Sequence, residues 1–413
     1  MTEGERRSGG YQAMLVGLLS LNFGILFFDR NALNFLMPFV QPDLGLSFTQ
    51  VGLLGSALSL TWALAGFFVG WLSDRTGKRK IIIVLATVLF SFCSVASGLA
   101  SSFAMLLAAR LLMGLAEGGV LPISHSLVAE EVSPERRGLA MGVTQNLGSN
   151  LLGSAAAPLI LIPVALAWGW RDAFFLAAAP GLISAVLVLM LVKERSGEGV
   201  PGAPREKLTL GQAFGQRNIL LCALIAILLV SYLVVCWAFM PLILTQLRGF
   251  DPDTVKWLMA TLGISAGIGA FVVPGISDLI GRRPVMIAAP LLGVILPLGA
   301  LYFDGSAWVL AAIFFFGWAL TGIFPLFMAT VPSETVDARH IATVMGMVMG
   351  TGEILGGVLS PFVAGAAADR FGLAAPLWIM LGLTLGAGLL AMGLKETAPR
   401  IVARRAAFAG LAT

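Results

Sequence analysis

Charge, histidine, cysteine and tyrosine are all scarce in this chain of 413 residues. Only 12% of the residues are charged and 58% are hydrophobic, with two histidines, three cysteines and three tyrosines. A soluble domain carries about 25% charged and about 45–50% apolar residues, so an ordinary globular domain is excluded. Cys93, Cys222 and Cys236 stand singly in apolar runs, with neither metal-ligand nor redox spacing, and read as core fillers. His125 and His340 have no ligand cluster around them, the carboxylates show no metal spacing, and no phosphate loop is present. No cofactor, no metal and no ATP-driven step are expected, and no nucleophile–base arrangement supports an enzyme. The net charge of +4 is spread over loops, which argues against nucleic acid as a partner.

What the chain has instead is long apolar runs, a mean hydropathy of +0.93 and 49 glycines. Small residues let membrane helices approach one another closely. A spanning helix needs about 20 mostly apolar residues. Twelve such runs occur, near 13–37, 48–72, 80–99, 102–128, 138–161, 171–192, 218–246, 254–277, 285–303, 307–330, 340–367 and 373–394. The first run follows MTEGERRSGG without a small-residue cleavage site and is expected to be a retained span. The one long polar interval, 193–217, reads as a linker between an N-terminal bundle, 1–192, and a C-terminal bundle, 218–413. Its Gly, Pro and charge content cannot bury a core. The expected class is an all-α membrane protein with the lipid bilayer as its surroundings.

Orientation follows from the basic residues. With the N-terminus in the cytoplasm, twenty lysines and arginines fall on the cytoplasmic side and only Arg171, Arg248, Lys256 and Arg370 on the other. The positive-inside rule therefore places both termini in the cytoplasm. The halves also echo each other. GWLSDRTGKRK (70–80) after the second run matches PGISDLIGRRP (274–284) after the eighth, and EVSPERRGLAMG (131–142) matches ETVDARHIATVMG (334–346). Duplicated six-helix units of this kind place a substrate site near the bilayer midplane, between the halves.

Two of the apolar runs carry charge at their centre. The first contains FFDRNALNF (27–35), and the fourth contains RLLMGLAEGG (110–119). A charge at a helix centre costs about 2.5–3.5 kcal/mol on insertion scales, so Asp29, Arg30, Arg110 and Glu117 are functional candidates. The alternative, a set of structural ion pairs, is the weaker reading because buried pairs are a poor route to stability. Arg110 and Glu117 are seven residues apart, which puts them on one helix face, about 10 Å apart along the axis. Counting from each helix entry places Asp29 and Arg110 at comparable depth, so an Asp29–Arg110 pair is feasible. Neighbouring helical residues point about 100° apart, so Asp29 and Arg30 serve different directions, one toward the fourth helix and one toward a cavity.

The loop Gly70, Asp74, Arg75, Gly77, Lys78 and Arg79 resembles the G-x3-D-R-x-G-R-R motif of the major facilitator superfamily. That resemblance implies twelve transmembrane helices in two pseudo-symmetric six-helix bundles, with the loop as a conformational latch. The second copy keeps Asp278, Gly281, Arg282 and Arg283 but has Pro274 and Leu279 where the pattern has Gly and Arg, so a weaker latch is expected there. Arg110 and Gly114 match the R-x-x-x-G element of the same superfamily. The Asp-Arg pair with R-x6-E is similar to the anion:cation symporters within it, including bacterial hexonate and hexuronate proton symporters. The resemblance implies proton-carrying roles for Asp29 and Glu117, a substrate-carboxylate role for Arg30, and pairing of Arg110 with the acids. Sugar-acid members surround their substrate with tyrosines, whereas here Phe27, Phe28, Phe35 and Met37 flank the charged pair. A small or aromatic monocarboxylate is therefore favoured over a polyhydroxylated acid.

Further candidates are polar or aromatic residues within the runs. Asn146, Ser149 and Asn150 lie at helical spacing in the fifth, with Asn146 as a candidate substrate contact. Glu353, among glycines in the eleventh, is a candidate third titrating group. Tyr232 and Trp237 in the seventh and Trp318 and Thr321 in the tenth are candidate cavity residues, with Tyr232 and Trp318 taken as substrate-binding. The expectation is a monomeric proton-coupled importer of a small organic anion in a bacterial inner membrane. A drug:proton antiporter of the same fold is the competing reading, against which stands GSNLLGSAAAP (148–158), which lacks a Gly-Pro pair.

Overall fold

A computed structural model describes residues 8–194, 210–337 and 340–403, with the side chains of Trp71, Asp74, Pro134, Glu135, Leu210 and Ala342 left aside. The expected linker falls largely on 195–209, outside the described residues. Among the described residues every regular element is helical. Eleven helices are long and apolar enough to cross a membrane, and a shorter apolar one, Ala375–Ala391, follows them. In chain order these are α1 Gly9–Asp43, α2 Phe48–Thr76, α3 Arg79–Gly98, α4 Phe103–Glu131, α5 Arg136–Trp168 and α6 Trp170–Leu191. After them come α7 Arg217–Leu247, α8 Pro252–Ile280, α9 Arg282–Tyr302, α10 Ala307–Thr335, α11 Thr343–Phe371 and α12 Ala375–Ala391.

Local chemistry sets the helix ends. Ser47 and Gln50 form a reciprocal capping box at the start of α2, satisfying two amides that the helix leaves without partners. Ser102 and Ser306 cap α4 and α10 in the simpler one-way manner. Gly77 ends α2 at φ 66°, a left-handed conformation that costs glycine nothing. α1 outruns its apolar core of 13–37 because Pro38 and Pro42 each give up one ladder bond without ending the helix. Several helices are locally unwound. α5 carries π turns at Val143–Leu147 and Ser149–Ala156, α10 has a 3-10 turn at Ala319–Ile323 and a π turn at Leu326–Thr330, and α11 has a π turn at Gly352–Val358.

The chain divides into two compact units. The first holds α1–α6 together with Gly249–Ile264, and the second holds α7, the remainder of α8 from Ser265, and α9–α12. The start of α8 groups with the first unit because Gly263 lies directly on the Ser154–Ala155 backbone of α5. In the first unit α1 packs across α5 and α6, α2 lies along α4, and α3 lies along α6. Glycines set these approaches. A side chain at Gly114 or Gly118 of α4 would strike the α2 backbone at Leu58 or Trp62, which is the local reason for the R-x-x-x-G spacing. In the second unit α7 packs against α11 and α12, and α12 also covers α9.

Candidate functional site

The first unit brings the four intramembrane charges of α1 and α4 together. Asp29 and Glu117 are fully buried, and Arg110 is 2% exposed. Arg30 Nη1 lies 3.8 Å from Glu117 Oε2, a loose ion pair in which the Arg30 side chain keeps 18% exposure and Glu117 none. Arg110 Nη1 donates to the backbone carbonyl of Arg30 at 3.1 Å and approaches Met113 Sδ at 3.4 Å. The expected contact of Arg110 with the acids is thus replaced, among the described residues, by a backbone bond. Its charge acts on Asp29 and Glu117 from beyond contact distance.

The cluster is balanced in formal charge but poorly bonded. Both carboxylate oxygens of Asp29, both of Glu117, and Nε and Nη2 of Arg110 are buried without a hydrogen-bond partner. Ser94 lies beside Asp29, but its hydroxyl is directed to the carbonyl of Phe174, 3.2 Å away. Buried groups without partners carry a desolvation penalty of about 1–3 kcal/mol each, larger when charged. A proton or an anion that supplies a missing partner therefore stabilises the site.

Aromatic residues complete it. The Arg30 guanidinium carbon sits 5.5 Å from the centroid of Phe27 and 5.4 Å from that of Trp62 on α2. Such cation–π contacts stabilise an arginine without occupying its N–H donors. Asn31 donates to the Gly153 carbonyl at 2.9 Å, tying the charged turn of α1 to an unwound turn of α5. Neither Trp62 nor Asn31 stands out in the sequence: Trp62 sits in an ordinary apolar run, and Asn31 only follows the charged pair. The spacing of Gly148 and Gly153 is the signal that α5 crosses α1 closely.

Asn146, by contrast, is half-buried in the first π turn of α5, and its carbonyl accepts from Ser149 at 3.4 Å. Asn150 is also half-buried. In the second unit Tyr232 and Trp318 are fully buried and stack at 5.8 Å, with Trp237 edge-on to Trp318 at 5.5 Å. The Tyr232 hydroxyl donates to the Gly293 carbonyl at 3.1 Å, and Trp318 Nε1 has no partner. Thr321 donates to the Trp318 carbonyl at 2.9 Å. These residues form one aromatic core within that unit. Glu353 is half-buried in the π turn of α11.

The latch residues divide between the units. In the first, Gly70 faces open space, Arg75 is exposed, and Arg79 pairs with Glu130; the side chain of Asp74 lies outside the described residues. Lys80 N–H donates to Glu194 at 3.2 Å. The second copy is densely bonded despite Pro274 and Leu279. Arg282 donates to Ser277 at 2.6 Å, to Asp278 at 2.5 Å and to Glu334 at 2.9 Å, and Thr397 donates to Glu334 at 2.6 Å. Glu396 accepts from the backbone N–H groups of Arg282, Arg283 and Ala398 at 2.8, 3.1 and 2.9 Å. Two of these partners, Glu334 and Glu396, lie outside the loop and so outside its motif. The repeat of Lys193–Glu194 as Lys395–Glu396 is the sequence signal that points to the second of them.

Twelve apolar helices among the described residues, with a charge cluster inside one unit, suit an integral membrane protein, and the family it matches makes it a transporter rather than an enzyme. The profile of the Major Facilitator Superfamily matches residues 19–247 and 223–411, and the chain belongs to that family. It is 29% identical to the hexuronate transporter of Bacillus subtilis, over 87% of this chain and 88% of that one. It is 26% identical to a probable sulfoacetate transporter of Cupriavidus necator, over 92% of each chain. Among solved structures it superimposes on a bacterial homologue of the human lysosomal transporter Spinster with a TM-score of 0.71 at 22% identity, covering 94% of this chain and 95% of that one. That likeness establishes the fold alone.

Proposed function

We propose that the chain is a proton-coupled symporter that imports a small organic carboxylate by alternating access across a bacterial inner membrane, with both termini in the cytoplasm. The observation that carries this reading is the state of Arg30. Its guanidinium retains exposure, has only a 3.8 Å ion pair to Glu117, and makes no hydrogen bond among the described residues. An arginine cannot shed its proton, so a half-buried one inside a membrane span calls for an anion, and a carboxylate fits its fork bidentately. The named substrates of the two relatives, hexuronate and sulfoacetate, are organic anions, which supports the same class here.

In this reading Asp29 and Glu117 carry the protons. Protonating Glu117 removes the partner that Arg30 holds loosely and frees it for a substrate carboxylate. Protonating Asp29 removes a buried charge that has no hydrogen bond, and Arg110 keeps the two helices in register through the Arg30 carbonyl. The faces of Phe27 and Trp62 beside the guanidinium favour a small or aromatic monocarboxylate over a sugar acid. Asn146, Glu353, Tyr232 and Trp318 are proposed in supporting roles, as a polar contact, a further titrating group and an aromatic wall. Gly70, Asp74, Arg75, Gly77, Arg79, Asp278 and Arg282 are proposed as the latch.

The test is proton entry into liposomes that contain the purified protein and an internal pH dye, with monocarboxylates, aromatic acids, dicarboxylates and sugar acids supplied outside. Acidification with one class, abolished in Asp29→Asn and in Glu117→Gln, is the expected result. Full proton-driven uptake in both variants would falsify the mechanism. Outward proton movement driven by lipophilic cations, with no response to any anion, would establish the antiporter instead.

A further inference from the structure

The ends of α7, α9 and α12 in the second unit enclose an open depression of about 470 Å³, lined by Arg217, Arg283, Met392, Lys395, Glu396 and Val402 among others. Three of these side chains are cationic and one is anionic. The carboxylate is already committed, because Glu396 accepts from the backbone N–H groups of Arg282, Arg283 and Ala398. Arg283 donates one N–H to the Met392 carbonyl at 2.8 Å. The side chains of Arg217 and Lys395 make no hydrogen bond or ion pair among the described residues. Three positive groups against one carboxylate leave the cavity with a net positive charge, which an anion would neutralise.

The cavity is built rather than incidental. Asn218 grips the backbone of Lys395 from both sides, donating to its carbonyl at 3.2 Å and accepting from its N–H at 2.9 Å. Gly393 lies beneath Arg217, where a side chain would come within 3.5 Å of Nη2 and 3.1 Å of Leu221. The rim is apolar and exposed, with Met392 at 46% and Val402 at 46%. A soluble phosphate has no use for that rim, whereas an acyl chain does. We infer that this cavity binds the phosphate headgroup of an anionic membrane phospholipid, with Arg217, Arg283 and Lys395 on the phosphate and the rim residues against its acyl chains. Basic pockets between helix ends on the side that carries the positive excess suit such headgroups.

The inference is independent of the substrate and of proton coupling. It is tested on the full chain purified in detergent, stripped of lipid and titrated with phosphatidylglycerol or phosphatidylcholine under native mass spectrometry. The wild-type chain should prefer phosphatidylglycerol by about tenfold or more, given the attraction of a few cations near one headgroup. Arg217→Gln with Lys395→Gln should erase that preference, Lys395→Gln alone should weaken it, and Arg370→Gln, which removes an exposed charge elsewhere, should leave it unchanged. An unchanged preference in the double variant and in Lys395→Gln overturns the inference. So does displacement of phosphatidylglycerol by millimolar inorganic phosphate, which would mark a site for soluble anions.

Discussion

α1 and α4 of the first unit bury Asp29, Arg110 and Glu117 with Arg30 half-buried beside them, while their repeat counterparts in the second, α7 and α10, bury Tyr232, Trp237 and Trp318. One pair of helices thus meets through charge and the other through aromatic area. The charged pair leaves six buried polar atoms without hydrogen bonds, on Asp29, Glu117 and Arg110. The aromatic pair leaves one, Trp318 Nε1, and satisfies the Tyr232 hydroxyl. In a duplicated fold, one copy of the crossing thus holds buried polar atoms that still lack partners, and the other is almost fully bonded; under the proposed function only the first would respond to protons and anions. At its helix ends the second unit carries a dense arginine–carboxylate network around Arg282.

The comparison breaks most severely at Arg30. Arg30→Gln should lower anion uptake about 100-fold, the loss of two charge-assisted hydrogen bonds, with the folded population unchanged by size-exclusion profile. Uptake within a few-fold of wild type would move the anion site away from α1. Next in size is Glu334→Gln, which leaves Arg282 without its main partner; a loss of about 2 kcal/mol in a denaturant-unfolding measurement is expected, with proton dependence retained. Tyr232→Phe should have the smallest effect, about 1 kcal/mol of stability from the Gly293 bond and no change in the pH profile of transport. A shifted pH profile in that variant would show the aromatic pair taking part in coupling and would blur the division between the units.

Much of this arrangement is legible in the sequence. The apolar runs specify the helices because a bilayer leaves the backbone few alternatives. The charges of α1 and α4 announce themselves by their cost, and the structure does bring them to one place. Their partners were harder to read. The pairing of Arg30 with Glu117, and of Arg110 with a carbonyl, depends on how α1 and α4 are rotated, which seven-residue spacing fixes only within one helix. Trp62 is invisible as a site residue because an aromatic in an apolar span has no distinguishing periodicity. The network at Arg282 escaped because Glu334 and Glu396 are 52 and 114 residues away along the chain.

The crossing of α1 with α5 has a consequence for how the protein can vary. A side chain at Gly24 would lie 2.7 Å from the Gly148 carbonyl oxygen, and one at Gly148 would collide with the Ser20 carbonyl. Each glycine is held in place by the backbone of the other helix, and backbone cannot be exchanged for something smaller. A second-site substitution therefore has nothing to shrink. This crossing is closed to stepwise change, so a deep mutational scan should find Gly24 and Gly148 among its intolerant positions although neither carries any chemistry.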